Sequence, residues 1–102
     1  MIRLLVMYPN ESGKKFDMDY YLNKHIPIVN DTLCNLGLVR TEVDKGIAGM
    51  EPGSPSPFVA IGYLYLEDMA ALQKCMAQGQ AMMADLPNFT DIQPQVQISE
   101  IT

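Results

Sequence analysis

Phe58-Val59-Ala60-Ile61-Gly62-Tyr63-Leu64-Tyr65-Leu66 is the stretch on which the fold turns. Side chains alternate along a strand. Val59, Ile61, Tyr63 and Tyr65 therefore share one side, and Phe58, Ala60, Gly62, Leu64 and Leu66 the other. Both sides are apolar, so both need cover, and such a strand belongs in the middle of a sheet. Ile2 to Tyr8 reads the same way, with Ile2, Leu4, Val6 and Tyr8 opposite Arg3, Leu5 and Met7.

Leu38 to Ile47 and Gln95 to Ile101 are weaker strands. Val39, Thr41 and Val43 oppose Arg40, Glu42 and Asp44, and Val96 shares a side with Ile98. Half-polar strands belong at sheet edges. Between the first two strands, Tyr21, His25, Ile28/Val29, Thr32/Leu33 and Leu36 recur at steps of three and four, the mark of one helical face turned inward. Asp17 is placed to cap this helix, and Asp19 adds charge to its first turn. Pro27 removes a backbone donor and is expected to kink it. Gly37 is expected to end it as a C′ residue. Glu67 to Asp85 reads as a second helix, with Met69, Leu72, Met76 and Met83 as its stripe, a break at Gly79 and an end at Pro87. Gly46 to Pro57 holds three glycines and three prolines and reads as a mobile hairpin loop.

The order β-α-β-β-α-β defines an α+β, ferredoxin-like domain over residues 1–102: a four-stranded antiparallel sheet, order 4-1-3-2, with two helices on one face. The two strands that are apolar on both sides fall in its centre. Two helices cover one face only. The other carries enough apolar surface to predict a homodimer, two sheets packed about a two-fold axis as a barrel-like core.

Composition narrows the partners. A formal net charge of −5 with 7 scattered Lys and Arg argues against nucleic acid and anionic membranes. No apolar run is long enough to span a bilayer. Cys34 and Cys75 lack CxxC spacing and read as core thiols in a reducing cytoplasm. A lone histidine without clustered carboxylates is a weak metal site. There is no phosphate loop, dinucleotide fingerprint or GxSxG. No metal and no cofactor are expected.

The chemistry centres on Phe16-Asp17-Met18-Asp19-Tyr20-Tyr21-Leu22-Asn23-Lys24-His25-Ile26-Pro27. His25 is the chain's one imidazole, a group able both to take and to give a proton, and is the candidate general acid/base. Tyr21 lies on its face of the helix at i, i+4 spacing, with Tyr20 at the boundary. Tyr63 and Tyr65 could each offer a phenol to a pocket or fill the core. Asn88 and Thr90 could bond a substrate or close a turn, and Phe89 would anchor their loop. Asp17 or Asp19 could orient His25.

This stretch resembles the first-helix signature of the EthD family, small proteins associated with ethyl tert-butyl ether degradation. Met83-Ala84-Asp85-Leu86-Pro87-Asn88-Phe89-Thr90-Asp91 resembles that family's loop before the last strand. The resemblance spans essentially the whole chain. It implies the dimeric α+β barrel superfold, shared by cofactor-free monooxygenases, polyketide cyclases and muconolactone isomerases. The reading is then a small cofactor-independent enzyme acting on a small apolar or aromatic, carbonyl-bearing molecule held between sheet and helices. The rivals are a carrier or accessory subunit of a catabolic oxygenase system, and a purely structural dimer.

Overall fold

The computed structural model describes residues 1–102. Strands β1 (Ile2–Pro9), β2 (Leu38–Lys45), β3 (Phe58–Leu66) and β4 (Gln95–Glu100) form one sheet. Its order is β2-β3-β1-β4, and every pairing is antiparallel. The two doubly apolar strands occupy the centre, with Leu4 opposite Leu64 and Val6 opposite Gly62. This is the ferredoxin-like arrangement expected from the pattern.

The first helix, α1, runs in three consecutive pieces: an α turn Met18–Tyr20, a π turn Tyr21–His25 and an α-helical Ile26–Leu33. The second is broken at Gly79, as expected, into α2 (Met69–Ala77) and α3 (Gln80–Asp85), followed by a 3-10 turn Leu86–Asn88. Asp68 caps α2 by accepting the Ala71 N–H at 2.8 Å.

The core has two parts. An aliphatic half joins Leu4, Leu64 and Leu66 of the sheet to Val29, Leu33, Ala71, Leu72 and Cys75 of the helices. An aromatic half joins Tyr8, Tyr21, Ala60, Phe89 and Ile92. The site belongs to the second.

Some expectations are corrected. Of the expected stripe only Leu72 faces inward: Met69, Met76 and Met83 are exposed, and Ala71 and Cys75 are buried beside Leu72 instead. Small side chains let the helix lie close to the sheet, so the long methionines take the flanks. Cys75 is buried, but Cys34 is exposed beyond the end of α1. Gly37 does adopt a left-handed backbone, φ +98°, but four residues after α1 stops. A side chain there would also strike the Cβ of Ala71. Around Pro27 the helix takes up the missing donor in a π turn, with the Ile26 N–H donating to the Tyr21 carbonyl five residues back.

No helix of this chain is long and apolar enough to cross a membrane.

Candidate functional site

The start of α1 is fixed before its chemistry begins. Asp17 has an extended backbone, and its side chain accepts the Tyr20 N–H at 3.1 Å. Its own N–H donates to the Phe89 carbonyl at 2.8 Å, and Phe16 forms an antiparallel bridge with Thr90. These bonds lock the helix start to the segment that follows the 3-10 turn. Asp17 is a cap, and Asp19 is exposed; neither reaches His25.

The π turn sets the ring geometry. Its wider turn brings residues four apart closer to eclipsed than an α-helix does. Tyr21 and His25 therefore stack, with centroids 5.6 Å apart and planes 16° from parallel. Both are buried, Tyr21 at 2% and His25 at 6% exposure. The Tyr21 hydroxyl lies against Gly62 of β3, where any Cβ would collide with it.

Asp85, at the last position of α3, organises the polar side of the site. Its Oδ2 lies 3.0 Å from His25 Nδ1. Its Oδ1 accepts from the Tyr20 hydroxyl at 2.8 Å and from Asn88 Nδ2 at 2.9 Å. Burial pushes this carboxyl up. The hydrogen bonds from Asn88, His25 and Tyr20, with the attraction of the imidazolium, outweigh it and hold the group below its usual value. An ionised carboxylate only accepts, so His25 Nδ1 must be the donor. That assigns the neutral ring its tautomer: Nδ1 protonated, Nε2 bearing the lone pair. Nε2 has no hydrogen-bond partner in the chain and is not sealed from solvent. A base needs this arrangement, one nitrogen tethered and one free.

The same shift sets an acid limit. Asp85 has a folded pKa below its ordinary 3.8, so the folded state gains from its ionised form. That gain is complete above the unfolded value and is lost as pH falls through the folded one. Urea titrations of the wild type and Asp85→Asn across acid pH should therefore show their stability difference shrinking as pH falls below the ordinary carboxylate range. A pH-independent difference would contradict the assignment.

Phe89 is the hub of the apolar side. It is 0% exposed, with its centroid 4.6 Å from His25 and 5.2 Å from Tyr21. Tyr20 stacks on it at 6.1 Å, and Phe16 and Tyr8 meet it edge-on at 5.5 and 6.0 Å.

The structure thus brings together His25, Tyr21, Tyr20 and Phe89, and separates the rest. Asn88 is exposed and donates to Asp85, so it supports the carboxylate rather than facing a ligand. Thr90 is buried and closes its loop, donating to the Lys15 carbonyl at 2.6 Å and accepting from the Ile92 N–H at 3.0 Å. Tyr63 and Tyr65 leave the site altogether, because alternation along β3 turns them to the face away from the helices. There the guanidinium of Arg3 lies over both rings, and that of Arg40 lies 3.9 Å from the Tyr65 centroid. The Tyr63 hydroxyl donates to Asp44, a bond that with burial pushes its pKa up to about 12.

Asp85 is a site residue that was not expected from the sequence. One signal was available: from Met69 to Thr90 the only charged residues are Lys74 and Asp85. A solitary carboxylate in so uncharged a stretch calls for a partner.

Two open clefts mark the surface. One, of about 490 Å3, is lined by Lys15, Met83, Leu86, Thr90 and Ile92 among others. The other, of about 450 Å3, lies under the loop at Gly46, Ile47 and Ser56. Neither is lined by His25 or Tyr21. The expected pocket beside His25 is thus filled by Phe89. Leu86 and Ile92, which line the first cleft, also pack in the aromatic cluster and form the wall between them.

Comparison with known proteins decides the family. The EthD domain model matches residues 11–93. The chain belongs to the EthD family. An EthD-like protein from Ralstonia eutropha JMP134 shares 36% identity, with a TM-score of 0.90 over 97% of this chain and 89% of that one. An EthD family protein from Bacillus halodurans C-125 shares 25% identity, with a TM-score of 0.74 over 100% and 99%. A dimeric ferredoxin-like protein from an uncultured marine organism, at 12% identity and TM-score 0.61 over 98% and 92%, shares the fold. No curated protein matches the chain. The EthD match covers both segments that carry the site, Phe16 to Pro27 and Met83 to Asp91.

Proposed function

We propose that this EthD domain is a small, cofactor-independent enzyme that moves a proton next to the carbonyl of a small apolar or aromatic metabolite. One observation carries the reading: a buried imidazole tethered through Nδ1 to an ionised carboxylate, with Nε2 left free. His25 takes the proton from carbon, and Tyr21 steadies the oxygen that gains charge. Such a step serves isomerisation, cyclisation, or activation of an electron-rich substrate towards oxygen, the monooxygenase-like outcome. The substrate approaches through the cleft at Leu86 and Ile92 and displaces the Phe89 ring from beside His25. The enzyme works in the cytoplasm as a homodimer. Leu5, Met7, Ile61 and Tyr63 share the sheet face that the helices leave open, and the buried Arg3 Nε beside them has no acceptor within the chain.

The closed wall between cleft and imidazole favours one rival, a carrier or accessory subunit that binds in the cleft and performs no chemistry. Deuterium exchange separates the two. Acetophenone and 1-indanone are incubated with the protein in D2O, and loss of the proton signal next to the carbonyl is followed by NMR. The enzyme reading expects exchange above buffer, reduced roughly 10²–10⁴-fold in His25→Ala. A wild type that binds these ketones but exchanges no faster than buffer would establish the carrier.

A further inference from the structure

Tyr8 appears in no functional role above, yet it is 1% exposed and its ring meets Tyr21 edge-on at 5.6 Å and 77°. It projects from β1 opposite Ala60, beside the Gly62 position against which the Tyr21 hydroxyl lies. The surroundings of the pair are apolar: Ala60, Phe89, Ile92 and Phe16. No backbone group and no side chain outside the pair accepts from either hydroxyl.

Two phenols carry two O–H donors. If one donates to the other, the second still has no acceptor. At least one O–H of the pair therefore has no acceptor within the chain and is free to bond an incoming oxygen. Neither oxygen is completely sealed, so an incoming atom can reach the pair. Burial pushes both phenols well above their ordinary value, Tyr8 further because Tyr21 lies beside it. Both are therefore O–H donors throughout the neutral range.

We propose that Tyr8 and Tyr21 form a two-phenol donor site for a single acceptor oxygen of the ligand, a ketone carbonyl, and that Tyr8 is a substrate-binding residue. Its catalytic consequence rests on the acid/base reading above; its binding does not. In the catalysed step the C–H bond next to the carbonyl breaks and the proton passes to His25 Nε2. The electron pair moves through the new C=C bond onto the carbonyl oxygen, where the two O–H groups hold the enolate. Return of the proton to carbon restores the ketone and the neutral ring, so no oxidant is needed.

Acetophenone labelled with 13C at the carbonyl is the probe. Wild-type protein is expected to move the bound carbonyl resonance downfield, and His25→Ala to preserve that movement. Tyr8→Phe should remove a large part of it, weaken binding roughly tenfold and slow exchange by at least as much. It should leave thermal stability unchanged or raised, because it deletes an unsatisfied donor and keeps the ring. A carbonyl shift that depends on Tyr8 without any catalysed exchange would uphold the donor pair and refute the acid/base reading. Three results overturn the proposal: no carbonyl shift in the wild type, a shift indifferent to Tyr8→Phe, or a destabilised Tyr8→Phe with normal binding. The last would mean that the hydroxyls serve each other or a bound water only.

Discussion

Asp85→Asn is expected to slow ketone exchange roughly 10²–10⁴-fold while leaving the fold in place. The amide has the shape of the carboxylate, and its oxygen can still accept from Tyr20 and Asn88. What changes is the group facing His25. An NH2 in place of Oδ2 donates to Nδ1, so the proton of the neutral ring moves to Nε2. The free nitrogen then carries a hydrogen where a base needs a lone pair. The imidazolium also loses the buried charge that stabilises it at 3.0 Å. Asp85 touches no substrate in this scheme and acts through His25, so the loss should fall on kcat and spare KM. Circular dichroism and a thermal melt at neutral pH would establish that the variant is folded. An unchanged exchange rate in a folded Asp85→Asn would remove the carboxylate from the mechanism.

Phe89→Ala is expected to cost roughly 3–5 kcal/mol in urea unfolding, the range for deleting a buried aromatic side chain. The ring is fully buried and packs on His25, Tyr20, Tyr21, Tyr8 and Phe16 together. Its backbone is held by Asp17 and its neighbour Thr90 by Lys15, so the loop cannot readily collapse into the space left behind. The resulting cavity would open beside His25 and Tyr21. Benzene or toluene should occupy it and restore part of the lost stability in proportion to the logarithm of its concentration. A cost of no more than about 1 kcal/mol would mean that the segment relaxes freely and that Phe89 is not the plug of the site.

The sheet was readable because its signal is local and strong. Nine residues apolar on both faces, Phe58–Leu66, point to the middle of a sheet, and there they lie. The break at Gly79 and the cap at Asp17 were equally local. The second helix misled because hydrophobicity alone ranks methionine above alanine. The sheet admits only small side chains at Ala71 and Cys75, a constraint that comes from the facing layer and not from the helix itself.

The site was half readable. His25 and Tyr21 share a spacing visible along one element. Asp85 lies 60 positions from His25, and the contact exists only because the 3-10 turn and the Phe16–Thr90 bridge fold that segment back against α1. Tyr63 and Tyr65 were readable as a pair on one face. The face they share is set by the register of β3 against β1, and it points away from the imidazole.

Nitrogen-15 NMR of the imidazole reads the His25 tautomer itself. The chain has a single histidine, so long-range proton–nitrogen correlations report on His25 without assignment. In its neutral form the ring should carry its hydrogen on Nδ1 and show a pyridine-like Nε2, inverted in Asp85→Asn. A wild-type ring with its hydrogen on Nε2, or one indifferent to the Asp85 substitution, would contradict it.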